Sequence, residues 1–204
     1  RSGQDRGDAL SREEAAVRRD LAAAYRLAAR RGWDDIVWTH ISAAVPGEPG
    51  TYLINRFGLR FAEVRPDNLV KVDVQGRVVD GSAAPVNPSG FAIHGAVHAA
   101  RPDAACVIHL HAPWSVALCA LPAGLQPTSQ WAMRLHGRLG RHAYEGLALG
   151  ADEQRSGADL LLGDPGQGLQ RDALAAAEHG GLHLALRVHP QRHGCLRAQQ
   201  GLEL

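Results

Sequence analysis

The chain has 204 residues, of which 45% are hydrophobic and 21% charged, and its formal net charge is +1. This length suits one domain with a full core, and the near-neutral charge gives no electrostatic basis for binding nucleic acid or an anionic membrane. No apolar run approaches the roughly 20 residues of a membrane-spanning helix, and the N-terminus lacks a signal-peptide pattern. Three cysteines, two of them in apolar runs, favour reduced thiols, so we expect a cytoplasmic protein.

The N-terminal part of the sequence predicts a short tail and then a helix. Residues 1–10 are polar and contain glycine, so we expect a disordered tail before a single domain over residues 11–204. Ser11 and Glu14 have the spacing of a capping box, in which a serine side chain caps the first turn. Apolar residues then recur at helical spacing until Gly32, which predicts an amphipathic helix that covers a sheet.

Strand-like segments dominate the rest of the first half. Residues 36–45 are rich in β-branched and aromatic side chains and predict a strand. A Pro- and Gly-rich turn at 46–50 leads into a returning strand at 51–55. Residues 69–74 and 77–80 predict a second antiparallel hairpin.

The second half alternates helices and strands. The predicted elements are helices near 89–101, 113–121, 128–137 and 152–162, a strand at 104–110 and a strand or loop edge at 141–146. Together they predict an α/β fold, a three-layer α/β/α sandwich on a mostly antiparallel sheet. Residues 173–177 are only weakly apolar for a buried strand and residues 183–197 have no clean periodicity, so local and global signals disagree there and whether residues 174–197 follow the family pattern stays open.

The most distinctive motif is His109-Leu110-His111, which ends the apolar run 104–108. Because a β-strand sends residues i and i+2 to the same face, the two imidazoles are expected to point together. Two co-facing imidazoles at a strand end are half of a transition-metal site. The alternative is a pair of strand histidines that are hydrogen-bonded in a core.

The chain contains a single lysine, Lys71, within the predicted strand 69–74. Strand alternation predicts that Lys71 points outward together with Asp73. A Schiff-base mechanism needs a desolvated lysine, so lysine-dependent aldol chemistry is not expected.

With these motifs in order along residues 11–162, the chain resembles the class II aldolase/adducin family, and its adducin-like branch in particular. The blocks that carry the resemblance are Leu21–Gly32, Thr39–Ser42, Leu53–Gly58, Asn68–Asp73, Asn87–His94, Arg101–Asp103, Val107–His111, Leu125–Gln130 and Tyr144–Gly146. The resemblance implies the α/β/α fold of that family. It also implies a homo-oligomer, commonly a fourfold-symmetric tetramer with the site at subunit interfaces.

The resemblance further implies a metal site with three histidine ligands. Two come from the His-x-His motif, His109 and His111, and the third from a downstream His-Gly, which is His179 here. His94 is a candidate fourth ligand or a partner behind the ligands. The ion would be Zn²⁺ or another divalent transition metal, acting as a Lewis acid at a substrate carbonyl.

Several positions depart from the aldolase pattern. The aldolases carry a catalytic glutamate four residues before the position of His94, and this chain has Gly90 there. Thr39-His40 replaces a glycine-asparagine pair of the phosphate cradle, and Phe57 replaces a threonine, so a phosphorylated sugar is not expected. The candidate substrate contacts that remain are Ser42, Gly58 and Ser89.

Two residues near the predicted site are candidates for proton transfer. Tyr144 is a candidate proton donor to a neighbouring subunit's site, the alternative being a packed tyrosine with a bonded hydroxyl. Glu178, next to His179, and Glu145 are the carboxylates that can replace the missing base.

The sequence therefore predicts a metal-dependent carbon–carbon lyase for a small, non-phosphorylated hydroxy-carbonyl compound. A non-catalytic, adducin-like module for self-association and protein binding is the alternative of a different class, and Gly90 favours it. A decarboxylase or epimerase on the same metal site is a third reading, since both reactions pass through an enolate.

Overall fold

The computed structural model describes residues 10–136, 139–141, 173–178 and 181–187 of the chain. The described elements are helices α1 (Arg12–Arg30), α2 (Pro88–Ala100), α3 (Pro113–Cys119) and α4 (Gln130–Leu135), a 3₁₀ turn (Phe61–Glu63), and strands β1 (His40–Ala44), β2 (Thr51–Asn55), β3 (Leu69–Asp73), β4 (Ala104–Leu110), β5 (Leu139–Arg141), β6 (Ala173–Glu178) and β7 (Gly181–Arg187).

The strands form one sheet in the order β3-β2-β1-β4-β7-β6-β5. Every described neighbouring pair is antiparallel except β5 and β6, which are parallel. The predicted mostly antiparallel α/β sheet is therefore confirmed. Strand β4 is the central strand of the sheet, between β1 and β7. The His-x-His motif therefore lies at the end of the central strand.

The alternation of β1 separates the two faces of the sheet. Ile41 and Ala43 join the core beneath α1, together with Leu21, Tyr25 and Phe61. On the opposite face, His40 and Ser42 contact side chains of α2. Helices therefore cover both faces of the sheet, as the three-layer prediction requires.

Helix α1 begins at the predicted cap, where Ser11 Oγ accepts the backbone N–H of Glu14 at 3.0 Å. The carboxylate of Glu14 is buried and accepts from Arg18 Nε at 2.9 Å and Lys71 Nζ at 2.8 Å. Lys71 also donates to Glu48 and its side chain is only 13% exposed, so the prediction that it points outward was wrong. These partners hold Lys71 as a charged group in an ion-pair cluster.

Two strand predictions were too long. Residues 36–39 form a loop and β1 begins only at His40; Ile36 is 61% exposed and has φ of 49°, which breaks an extended run. The predicted strand at 77–80 is reduced to a single bridge between Val72 and Val78. The Asp73 carboxylate accepts the backbone N–H of residues 75 and 77, which closes a tight turn there.

The remaining predicted helices that the structure describes are present, two of them with shorter bounds, and of the predicted strand or loop edge at 141–146 only residue 141 is described, at the end of β5. The strand at 104–110 has the predicted bounds, and the helices near 89–101, 113–121 and 128–137 are present as α2, α3 and α4. Residues 173–177, which are weakly apolar for a buried strand, lie in β6, and residues 183–187, where the periodicity was unclear, lie in β7. The predicted tail at residues 1–9 and the predicted helix at 152–162 lie outside the described residues. Within the described part of the chain, no helix has the length and apolarity needed to cross a membrane.

Candidate metal centre

The candidate metal centre is built on the end of β4, where His109 and His111 converge. Strand geometry directs both side chains to the same side, and their Nε2 atoms lie 3.1 Å apart. The rings meet edge to face, with centroids 4.9 Å apart. The convergence predicted from the i, i+2 spacing is therefore confirmed.

A carboxylate behind His111 fixes the state of its ring. His111 Nδ1 lies 2.9 Å from Asp35 Oδ2. A carboxylate can only accept, so Nδ1 carries the hydrogen, and a neutral ring then keeps a lone pair on Nε2. That lone pair faces His109, as a metal ligand requires, and such carboxylate–histidine pairs are common behind bound metals.

The loop that carries Asp35 is held against the end of β4. His111 donates its backbone N–H to Trp33 O at 3.1 Å, and Trp38 donates to Asp35 O at 2.8 Å. Within this loop Ile36 adopts the left-handed conformation, which is costly for a β-branched side chain. Backbone strain of this kind collects near functional sites, and here it presents Asp35 to His111.

The two imidazoles fit a zinc ion or a similar divalent ion. Zn–N bonds of about 2.0–2.1 Å at a tetrahedral angle put two ligand nitrogens roughly 3.3 Å apart. The observed 3.1 Å separation is close to that spacing. Nitrogen is also the donor type that transition metals of this class prefer.

Several predicted site residues lie outside the described part of the chain. They are the metal ligand His179, the proton donor Tyr144 and the side chains of Glu178 and Ser89. Within the described residues, no group of three or more histidine, cysteine, aspartate or glutamate side chains is arranged to hold a metal ion. The described residues therefore bring together two candidate ligands, and metal binding by them and by a third ligand stays a prediction.

A row of buried polar side chains runs behind this pair, between β1 and α2. His40 Nδ1 lies 2.9 Å from His94 Nε2, His94 Nδ1 lies 2.6 Å from Ser42 Oγ, and Ser42 Oγ lies 2.9 Å from His98 Nε2. His98 stacks on Tyr52, with centroids 4.7 Å apart. His98 also donates to the Ala104 backbone, so its neutral ring accepts at Nε2 from Ser42 Oγ, and the donors then run in one direction from His40 through His94 and Ser42 to His98.

Two predicted site residues, His94 and Ser42, belong to this buried row. Both ring nitrogens of His94 are engaged, by His40 and by Ser42, so His94 lies behind the ligand pair as a supporting side chain. Ser42 is 0% exposed and bonded on both sides to histidines, so it is not available as a substrate contact. Gly58 forms a turn after β2 with φ of 92°.

Sequence reasoning missed Asp35 and the structural role of His40. Asp35 lies 76 residues from His111 in sequence, just before the segment 36–45 whose composition favours a strand. No local pattern marks it as the partner of a histidine. The helical spacing of His94 and His98 was visible in the sequence, but their strand partners were not.

Replacing Asp35 by asparagine is expected to weaken divalent-metal binding about 10- to 100-fold. Asparagine can still accept from Nδ1 of His111, but it removes the negative charge that makes the ring a better donor. Titration of the metal-free protein with Zn²⁺ against a chromophoric chelator measures the change. Asp34→Asn, one residue earlier in the same loop, is the matched control and should leave the affinity unchanged. Equal affinities in wild type and Asp35→Asn would show that the Asp35–His111 contact has no part in metal binding.

The fold and the paired histidines define a three-layer α/β domain with a candidate mononuclear metal centre. The sequence matches the Class II Aldolase and Adducin N-terminal domain family over residues 19–189, and the chain belongs to that family. The resemblance recognised in the sequence is therefore confirmed.

Three relatives show the range of this family. The crystal structure of an aldolase II superfamily protein from Pseudomonas syringae matches with a TM-score of 0.78 and 41% identity, over 86% of this chain and 68% of that chain. L-fuculose 1-phosphate aldolase from Glaciozyma antarctica matches with a TM-score of 0.70 and 25% identity, over 85% of this chain and 64% of that chain. Alpha-adducin from Rattus norvegicus is 40% identical over 148 residues, which are 72% of this chain and 20% of that protein.

The chain spans only part of its relatives. Two bacterial curated relatives are 44% and 47% identical to it, and the chain covers 65% and 58% of their respective lengths.

Proposed function

We propose that this chain is a divalent-metal-dependent carbon–carbon lyase that acts on a small, non-phosphorylated hydroxy-carbonyl compound. The observation that carries the proposal is the convergence of His109 Nε2 and His111 Nε2 at 3.1 Å, with Asp35 behind His111. Similarity to an L-fuculose 1-phosphate aldolase supports aldol chemistry on this fold.

The proposed ligands are His109, His111 and His179. They would hold Zn²⁺ or another divalent transition metal, which supplies Lewis acidity at the substrate carbonyl when bound. Three neutral imidazoles leave a coordination position for substrate, as catalytic sites require. Asp35 keeps the His111 ring in the tautomer that presents a lone pair.

Cleavage of a hydroxy-carbonyl compound also requires proton transfer by the protein. The hydroxyl loses its proton, the adjacent carbon–carbon bond breaks to give an aldehyde, and the electron pair left on the other fragment takes up a proton. Tyr144 and Glu178 are the proposed donor and acceptor. Since the site of related enzymes lies between subunits, we expect a homotetramer in which Tyr144 reaches the neighbouring site.

Internal hydrogen bonds support a substrate without phosphate. Phe57 donates its backbone N–H to Pro85 O at 2.8 Å. Thr39 Oγ1 accepts the backbone N–H of Asp35 at 3.3 Å, and the ring of His40 is buried against His94. The Phe57 N–H is used inside the protein, and Thr39 and His40 are only 1% and 2% exposed, so fewer donors at these positions can reach a phosphate.

A binding module is the second candidate function, favoured by the 40% identity to alpha-adducin. Large apolar side chains on the helices after β4 also favour an interaction surface, since Trp114 is 88% exposed and Trp131 is 61% exposed. These side chains suit contacts between copies of the chain in either function.

Metal content and cleavage products test the proposed function together. The purified protein is expected to bind about one equivalent of zinc per chain by elemental analysis. The loaded protein is then offered matched hydroxy-carbonyl compounds with and without phosphate, and free aldehyde is measured. Aldehyde release from the phosphate-free member, lost on chelation and restored by Zn²⁺, supports the proposal. Absence of bound metal after incubation with excess Zn²⁺ would overturn it in favour of the binding module.

A further inference from the structure

We propose that His40 is a positioning residue for the metal ligand His109, and that residue 90 is glycine because the His40 ring occupies the space beside it. The inference rests on the metal centre of the proposed function and concerns how one of its ligands is held. It joins residues from β1, α2 and β4.

His40 lies directly against His109 across the sheet. The two residues are paired in the register of β1 and β4, and their rings stack with centroids 4.9 Å apart and planes at 28°. His40 is only 2% exposed, so its ring is packed tightly on the protein side of His109. A stacked neighbour restricts the rotation of the His109 ring about its side-chain bonds, and with it the direction of Nε2.

His40 is itself fixed from the side of α2. Its Nδ1 lies 2.9 Å from His94 Nε2, and the two rings meet edge to face with centroids 4.5 Å apart. His94 is 0% exposed and is bonded in turn to Ser42 at 2.6 Å. The orientation of His109 is therefore set by a row of buried hydrogen bonds that ends in a stacked ring.

Gly90 leaves the room in which the His40 ring lies. A Cβ atom on residue 90 would lie 3.0 Å from Cδ2 of His40 and 3.3 Å from both Cγ and Nε2 of the same ring. Residue 90 does not have a positive φ, so its backbone conformation alone does not require glycine. Since glycine within a helix costs about 1 kcal/mol relative to alanine, the contact with His40 gives this glycine a physical reason.

The arrangement also bears on the chemistry available at residue 90. A longer side chain there, such as the glutamate of the aldolases, would need the space that the imidazole fills. His40 and Gly90 therefore form a matched pair, in which the ring that supports His109 excludes a side chain from the helix.

Co²⁺ binding to the metal-free protein tests the pair, because the visible absorption of Co²⁺ reports ligand geometry directly. Three variants are compared with wild type: Gly90→Ala, His40→Ala and the double variant. Gly90→Ala and His40→Ala are each expected to weaken Co²⁺ binding about tenfold and to change the absorption bands. In the double variant the methyl group added at residue 90 has no ring to displace, so this variant is expected to match His40→Ala alone.

The controls separate positioning from folding and from metal binding itself. His136→Ala, at an exposed histidine, should match wild type in both affinity and spectrum. Circular dichroism checks each variant, and His40→Asn, which leaves a smaller cavity, replaces His40→Ala if that variant fails to fold. Wild-type spectra in Gly90→Ala, or additive losses in the double variant, would overturn the inference while leaving the proposed function standing. Failure of the wild type to bind Co²⁺ would overturn both.

Discussion

His109→Ala and His111→Ala variants are each expected to bind Zn²⁺ about 100- to 1,000-fold more weakly than the wild type. Binding of structural zinc by four ligands is worth roughly 10–16 kcal/mol, so one imidazole contributes about 3–4 kcal/mol. The Nε2 atoms of the two residues lie 3.1 Å apart, and no further described side chain joins them to hold an ion, so each variant removes one of only two described candidate ligands. Competition with a chromophoric zinc chelator measures the affinities.

Two comparisons make this result specific. His136 is exposed on the turn after α4, and His136→Ala removes an imidazole without touching the pair. Thermal unfolding of the metal-free proteins shows whether a variant has lost its fold rather than a ligand. Wild-type zinc affinity in either pair variant would mean that the two histidines meet for a structural reason alone.

Where local rules act alone, the sequence predicted this structure well. The i, i+2 spacing of His109 and His111 fixed their common direction, because a strand has a period of two residues. Ser11 capped α1 as its spacing indicated. Strand β4 has the bounds that its apolar run indicated, since a continuous apolar run suits a strand buried at the centre of a sheet.

The rest of the site depends on contacts that no local pattern contains. Asp35 meets His111 across 76 residues, next to Ile36, whose left-handed backbone is unusual for a β-branched residue and is not indicated by its sequence. His40 and His94 are 54 residues apart and meet only when α2 lies on β1. The sequence showed that Gly90 stands where the aldolases have a glutamate. It did not show that the His40 ring lies beside residue 90, because the two residues become neighbours only in the folded chain.

The stability of the metal-free protein is expected to fall by about 3 kcal/mol through His98 as the pH drops from about 6.5 to about 4. Burial lowers the pKa of His98 from 6.5 to about 4, and a hydrogen bond with the Ala104 backbone opposes this only in part. In the unfolded chain His98 binds a proton below about pH 6.5, whereas in the folded protein it stays neutral until about pH 4. The unfolded state therefore binds more protons in that window, so the contribution is complete above pH 6.5 and is lost as the pH falls.

His98→Gln isolates this contribution, because glutamine does not titrate and can still bond Ser42 Oγ, the partner that faces His98 from β1. Urea unfolding of both proteins, with chelator present, is measured across this pH range.

Two carboxyls also titrate in acid. Burial raises the pKa values of the Glu14 and Asp73 carboxyls, but their hydrogen bonds and cationic partners outweigh it and leave both pKa values lowered. Protonation of these carboxyls in acid also lowers the free energy of unfolding. It does so equally in wild type and His98→Gln, so this effect cancels in the difference between the two proteins. The stability advantage of wild type over His98→Gln is expected to shrink steadily from pH 7 to pH 4. Parallel curves would show that His98 is accessible to protons in the folded protein, and that the row from His40 to His98 is less closed than its burial indicates.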